Sequence, residues 1–182
     1  MTERDALASL LRERSVSFGD FLLASGQRSS YYIDARKTTM SAPGQRLIGR
    51  LGLDAIRTRG WSPGAVGGLT MGADPVAYAI ARASSDRPPS IDAFSVRKAA
   101  KEHGTGRRIE GNFSRGMAVV VIEDVITSGG SALQAVAVIE AEGGSVLGVL
   151  AVVDRLQGGR TAIEACGLDV VVITTIHDLG IP

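Results

Sequence analysis

The sequence predicts an α/β protein with a mostly parallel central sheet flanked by helices and a small N-terminal hood. Three observations predict it. From residue 65 onward, short β-branched apolar runs alternate with stretches of helical spacing, the pattern of strands joined by right-handed helical crossovers. One run, Val119-Val120-Val121-Ile122, contains no polar residue, as expected of a strand covered on both faces. Before residue 41 the pattern differs: two strand-like segments flank a Ser25-Gly26 turn, which reads as a hairpin rather than part of a parallel sheet.

Taken in order, Thr2 caps a short first helix, with Asp5 three residues on and Leu7, Leu10 and Leu11 on one face. Phe18 to Leu23 and Tyr31 to Asp34 form the hood hairpin. Pro43 and Gly44 open a helix carrying Leu47, Ile48, Leu51 and Ile56 and ending near Arg59-Gly60. Ala65 to Leu69 is a short strand. Asp74-Pro75 reads as an N-cap with proline at the first helical position, starting a helix that runs through Ala81. Ile91 to Val96, Met117 to Ile122, Ser145 to Val153 and Asp169 to Ile176 are further strands, with Gly143-Gly144 stopping the helix between the second and third of these. There is no internal repeat.

A chain of 182 residues, 45% hydrophobic and 21% charged, suits one domain, 1–182, with residues 1–40 contributing the hood. A net charge of +1 provides no general field for nucleic acid or membrane, so any anion specificity must be local. The lone Cys166, expected in a helix, excludes an internal disulfide and suits a reducing cytoplasm. No signal-peptide core is present, and no segment approaches the roughly 20 apolar residues of a membrane span. A cytoplasmic protein without membrane or nucleic-acid partners is expected.

The stretch around which the chain is organised follows that apolar run. Glu123 and Asp124 are expected where the strand leaves the sheet. Val125-Ile126-Thr127-Ser128-Gly129-Gly130-Ser131 then leads into the helical pattern Leu133, Val136, Ala137, Ile139. Such a turn gathers backbone N–H groups and three hydroxyls at a helix N-terminus, where the dipole favours a phosphate. The adjacent carboxylates are tolerable beside a phosphate only if they hold hydroxyls or a hydrated metal, which suggests a phosphorylated sugar held at both ends. A tight strand-to-helix connection would also use Gly-Gly, but paired acids at a strand's carboxyl end fall in the crevice where open α/β sheets bind ligands. Neither common nucleotide loop fits: no lysine follows the glycines and no Gly-x-Gly-x-x-Gly follows a strand.

One segment, 97–116, lacks apolar periodicity and is expected to be a mobile lid. It carries Arg97, Lys98, Lys101 and His103, then Gly104 and Gly106 as hinges. A solvated basic loop is the plain alternative. A closing cationic lid would instead stabilise negative charge developing on a leaving anion and exclude water.

The stretch from Glu123 to Ser131 closely resembles the 5-phosphoribosyl-1-diphosphate (PRPP) motif of the type I phosphoribosyltransferases, whose fold is Rossmann-like. Arg97-Lys98-x-x-Lys101-x-His103-Gly104 resembles the catalytic loop of the orotate phosphoribosyltransferases within that class. Ser25-Gly26 with Tyr31-Tyr32-Ile33-Asp34, and Asp154-Arg155, resemble that family's substrate segments, so the likeness covers nearly the whole chain. The resemblance implies transfer of the phosphoribosyl group from PRPP to orotate, giving orotidine 5′-monophosphate and pyrophosphate in pyrimidine synthesis. It also implies Mg²⁺ as cofactor, held by PRPP or pyrophosphate without direct protein ligands, Asp124 reaching it through water at most. The implied assembly is a homodimer with shared active sites.

By the same resemblance, PRPP is bound by Arg97, Lys98, Lys101, His103, Glu123 and Asp124, and by Val125, Ile126, Thr127, Ser128, Gly129, Gly130 and Ser131. Orotate is bound by Thr127, Arg155, Tyr31 and Tyr32. Lys101, His103 and Asp124 are the catalytic candidates, with His103 open as proton donor or neutral hydrogen-bonder. Two positions depart from the family: Ala24 and Met71 stand where many members carry lysine. Arg28, Arg36 or Lys37, or the N–H groups of Gly72 and Ala73, are the candidates to compensate. Two other readings stay open, a transferase for another pyrimidine and a PRPP-sensing regulator without turnover. The regulator has no need of Lys101 or His103.

Overall fold

The structure, a computed structural model, describes residues 1–22, 26, 28–99 and 108–182. Thr2 caps α1 (Glu3–Ser15) through a reciprocal capping box with Asp5, and the helix is longer than its sparse apolar face suggests. The hood is an antiparallel pair, β1 (Val16–Leu22) and β2 (Arg28–Ile33), with an irregular register between Phe18 and Phe21. A one-turn helix α2 (Arg36–Thr39), too short to show periodicity, leads to α3 (Ala42–Thr58), which Ser41 caps.

The main sheet contains β3 (Ala65–Leu69), β4 (Asp92–Val96), β5 (Ile109–Gly111), β6 (Ala118–Ile126), β7 (Ser145–Asp154) and β8 (Val170–Thr175), in the order β5-β4-β3-β6-β7-β8. All neighbours are parallel except β4 and β5. The helices α4 (Ala73–Ser85), α5 (Gly130–Ala141) and α6 (Gly159–Glu164) complete the chain. Successive strands run outward from β3 to β4, then return to the other side of β3 as β6. The chain therefore reverses between β3 and β6, the place where open sheets bind ligands.

Four expectations need correction. Asp74 is not the N-cap of α4: Gly72 holds that position and Asp74 lies inside the first turn, because the helix begins two residues earlier than proline placement suggested. β6 does not end before Glu123 but continues to Ile126, pairing Glu123 with Ala151 and Val125 with Val153. The backbone ladder there outweighs the poor strand propensity of two acids. The segment 97–116 is not wholly loop, since β5 adds an edge strand to β4; three residues are too few for a period to show. Cys166 lies exposed in the turn after α6, not in a helix.

Each sheet face is covered by its own core. Val66, Val120, Ile122, Leu150 and Val152 pack under α1, α3 and α4, while Ala65, Val119, Val121, Val149 and Ala151 pack under α5 and α6. Alternation along β6 follows the period of a strand until Ile122. It then reverses: Val125 joins the first core and Ile126 the second. The reversal falls on Glu123 and Asp124.

β3 sits against this point, and a Cβ on its Gly68 would collide with the carbonyl oxygen of Ile122 and lie 2.8 Å from the Cβ of Ala73. Gly68→Ala should therefore cost about 1–3 kcal/mol by overpacking. The measurement is a lowered denaturant midpoint with unchanged slope.

Candidate active site

The paired acids, the end of β3 and the start of α4 surround a cleft of about 490 Å³, lined by Arg36, Leu69, Thr70, Met71, Gly72, Lys98, Glu123, Asp124 and Ser131. Its floor is the carboxylate pair. Asp124 accepts a hydrogen bond from its own neighbour, Val125 N–H to Oδ1 at 2.9 Å. Gly72 lies so close that a Cβ there would come within 2.6 Å of Asp124 Oδ1, so the absence of a side chain at Gly72 keeps this carboxylate in contact with the cleft wall. The Thr70–Met71 peptide bond on that wall is cis. Thr70 Oγ1 donates to Asp74 Oδ2 at 2.6 Å, which ties the wall to the first turn of α4.

Glu123 is only 7% exposed. Burial first, and the neighbouring Asp124 charge second, push its carboxyl up to about 8. The pair thus avoids placing two full charges side by side in the ligand-free protein.

Beyond the strand, Gly129 adopts a left-handed conformation, φ 82°, as the N-cap of α5, and no side chain caps the helix. The hydroxyls of Thr127, Ser128 and Ser131 are exposed and have no hydrogen-bond partner among the described residues. Gly159 packs against the Thr127 carbonyl and the Gly129 nitrogen, at 2.5 and 2.8 Å from where its Cβ would be. The cup is therefore braced from behind by α6 and open in front, with unsatisfied N–H groups and hydroxyls suited to a phosphate.

Arg155 follows β7, its N–H bonded to the Ile126 carbonyl at 3.0 Å, which sets it beside the motif. Its guanidinium carbon lies 5.1 Å from the ring centroid of Tyr31, and its Nε and Nη2 are buried without a partner. No ion pair joins Arg155 to the adjacent Asp154 among the described residues. The Asp154 carboxylate instead accepts the Leu156 N–H at 2.8 Å, where Leu156 has φ 55°. A buried guanidinium with open donors is costly unless an anion completes it. Sequence reading missed Asp154 as the anchor of this turn; the Asp-Arg pair at a strand end was the available signal.

The other candidates divide. Arg97 lies in a neighbouring groove with Ser95, Lys98 and Glu110, its Nη1 3.8 Å from Glu110. Arg108 donates to the carbonyls of Arg97 and Lys98, both at 3.0 Å, stapling the described ends of the basic segment. Tyr32 points away from Tyr31, as alternation on a strand requires, and packs on Phe21 at 5.8 Å between centroids. It is not gathered with Arg155. Lys101, His103, Gly104 and Gly106, with Ala24 and Ser25, lie outside the described residues. Among the described residues no group of three or more His, Cys, Asp or Glu could hold a metal, and no helix is long and apolar enough to cross a membrane.

A Leishmania tarentolae adenine phosphoribosyltransferase shares the fold, with TM-score 0.68 and 16% identity over 98% of this chain and 91% of that one. Fold and cup together define a phosphoribosyltransferase of the type I class. No family model matches the chain. The curated orotate phosphoribosyltransferase of Mycobacterium tuberculosis is 48% identical over 179 residues, 98% of this chain and 97% of that protein. That of Rhodopirellula baltica is 42% identical over 179 residues, 96% and 93% of the two chains. A crystal structure of the M. tuberculosis enzyme with PRPP superposes with TM-score 0.84 at 42% identity, covering 99% of this chain and 100% of that one. The chain belongs to the orotate phosphoribosyltransferase family.

The raised carboxyl of Glu123 has a measurable consequence. The folded protein holds a proton that the unfolded chain releases between about 4.5 and about 8, so this contribution is present below the unfolded value and lost as pH rises through the folded one. Thermal unfolding of the ligand-free protein should show a melting temperature that falls across this window. Glu123→Gln should flatten that part of the curve; identical slopes would mean that burial does not hold the proton.

Proposed function

We infer that this chain transfers the 5-phosphoribosyl group of PRPP to orotate, forming orotidine 5′-monophosphate and pyrophosphate for pyrimidine synthesis. The observation that carries the reading is the Arg155 guanidinium beside the phosphate cup, its Nε and Nη2 buried without a hydrogen-bond partner. A carboxylate distinguishes orotate from uracil, and a guanidinium fork is suited to hold it. The whole chain, 1–182, acts as one unit, with 97–116 as its lid.

In this reading Glu123 and Asp124 hold the ribose hydroxyls, and the turn from Val125 to Ser131 holds the 5-phosphate. The face of Tyr31 supports the pyrimidine next to Arg155. The bond from C1 to the diphosphate breaks, its electron pair leaving with pyrophosphate, as N1 of orotate bonds to C1, and the N1 proton passes to the pyrophosphate or to solvent. Lys98, with Arg97, Lys101 and His103 of the lid, meets the charge that gathers on the leaving pyrophosphate. Mg²⁺ fits the hard oxygen donors here: bound to the diphosphate, it would neutralise charge, with Asp124 touching it through water. A lone cysteine, which can form no internal disulfide, suits a cytoplasmic enzyme.

Loss of orotate absorbance with PRPP and Mg²⁺ tests the reading directly, with uracil and purine bases alongside. Arg155→Leu should depress kcat/KM for orotate by at least about a hundredfold, while residual uracil activity changes little, because only orotate is left with an unpaired charge. Equal losses for both bases would make Arg155 structural.

The proposed assembly is a homodimer in which the Lys101 lid of one protomer serves the Glu123-Asp124 pair of the other. Lys101→Ala and Asp124→Asn, each impaired alone, should complement after the protomers re-pair at random. Half the dimers are then mixed, each with one intact site, and activity should return to about a quarter of wild type. Hybrid dimers no more active than their parents would show that the lid acts within its own protomer.

A further inference from the structure

We propose that Arg36, oriented by Asp34, binds the diphosphate end of PRPP and the pyrophosphate product. The inference rests on the transferase reading and adds a residue to it. Among the described residues lining the cleft are two acids, Glu123 and Asp124, and two cations, Lys98 and Arg36. A diphosphate entering beside two acids requires compensating donors. The wall formed by Thr70, Met71 and Gly72 brings no charge, and Met71 presents a thioether that is 58% exposed.

Arg36 is built to supply that charge. Its Nε donates to Asp34 Oδ1 at 2.8 Å and its Nη2 to Oδ2 at 3.3 Å. This fork occupies one edge of the guanidinium and leaves Nη1 and the second Nη2 hydrogen for a ligand, the planar geometry that suits a phosphate. Asp34 is in turn fixed, its N–H bonded to the Ser15 carbonyl at 2.9 Å. The helix that carries Arg36 is pinned by buried Thr38, whose Oγ1 lies 2.7 Å from Ser15 Oγ. The Arg36 fork is the main cause holding the Asp34 carboxyl below the usual carboxylate range, so the anchor stays ionised at neutral pH. The charge of Asp124 also reaches Arg36, after the larger influence of Asp34. Neither alternative cation is in place: Arg28 pairs with Asp20 on the exposed hairpin, and Lys37 does not line the cleft.

Calorimetric titration with pyrophosphate and Mg²⁺, and separately with orotidine 5′-monophosphate, tests the assignment in the full-length protein. Arg36→Gln should weaken pyrophosphate binding about ten- to a hundredfold and raise the KM for PRPP in parallel, leaving the affinity for orotidine 5′-monophosphate unchanged. Arg36→Lys should fall between, since it keeps the charge but loses the fork, and Asp34→Asn should give a smaller loss of the same kind. Arg28→Gln should change nothing. Unchanged pyrophosphate affinity in Arg36→Gln overturns the proposal, and so does an equal loss for both ligands with a lowered melting temperature. Failure of the wild-type protein to consume orotate would overturn the transferase reading instead, while its pyrophosphate titration would still report on Arg36.

Discussion

The constraint on which the rest depends is the placement of two consecutive carboxyl groups at the end of a buried central strand. Glu123 is nearly desolvated and lies beside the half-buried Asp124, so Glu123 cannot be satisfied by solvent alone. Desolvation and mutual repulsion are relieved by keeping a proton on Glu123. A ligand that offers hydroxyls to the pair can replace that proton with hydrogen bonds. Hydrogen bonds from such a ligand would offset the desolvation of the pair.

The neighbouring elements follow from this constraint. A side chain at Gly72 would push the α4 start away from the acids, and one at Gly68 would separate β3 from β6. The phosphate cup needs Gly129 in a left-handed conformation so that the first N–H groups of α5 face outward, and α6 braces it through Gly159. Positive partial charge at the helix end and hydroxyls at the turn lie one short loop beyond the acids. Opposite chemistries at the two ends of one strand-to-helix junction are what a phosphorylated sugar requires.

The hood links the Arg155 turn to the carboxylate cleft. Tyr31 on β2 lies across the guanidinium of Arg155 from β7, and just after β2 Arg36, held by Asp34, lines the cleft itself. A short N-terminal appendage therefore reaches both the Arg155 turn and the carboxylate cleft. Its own stability comes from packing on α1 and α3, where Tyr31 and Ile33 meet the core under the sheet.

Much of this was legible in the residues. The apolar run of β6, the acids after it and the Gly-Gly turn determined a central strand, a carboxylate pair and an anion cup, because each depends on local propensity and on neighbours within a few positions. Thr2 with Asp5 determined a helix start for the same reason. Tertiary structure alone decided that β6 continues through Glu123 and Asp124, because the ladder to β7 supplies what propensity withholds. It alone separated Tyr31 from Tyr32, brought Arg36 to the cleft while leaving Arg28 on the hairpin, and made Asp154 the anchor of a turn rather than the partner of Arg155. Those outcomes depend on which residues distant in sequence become neighbours, and one-dimensional spacing carries no record of that.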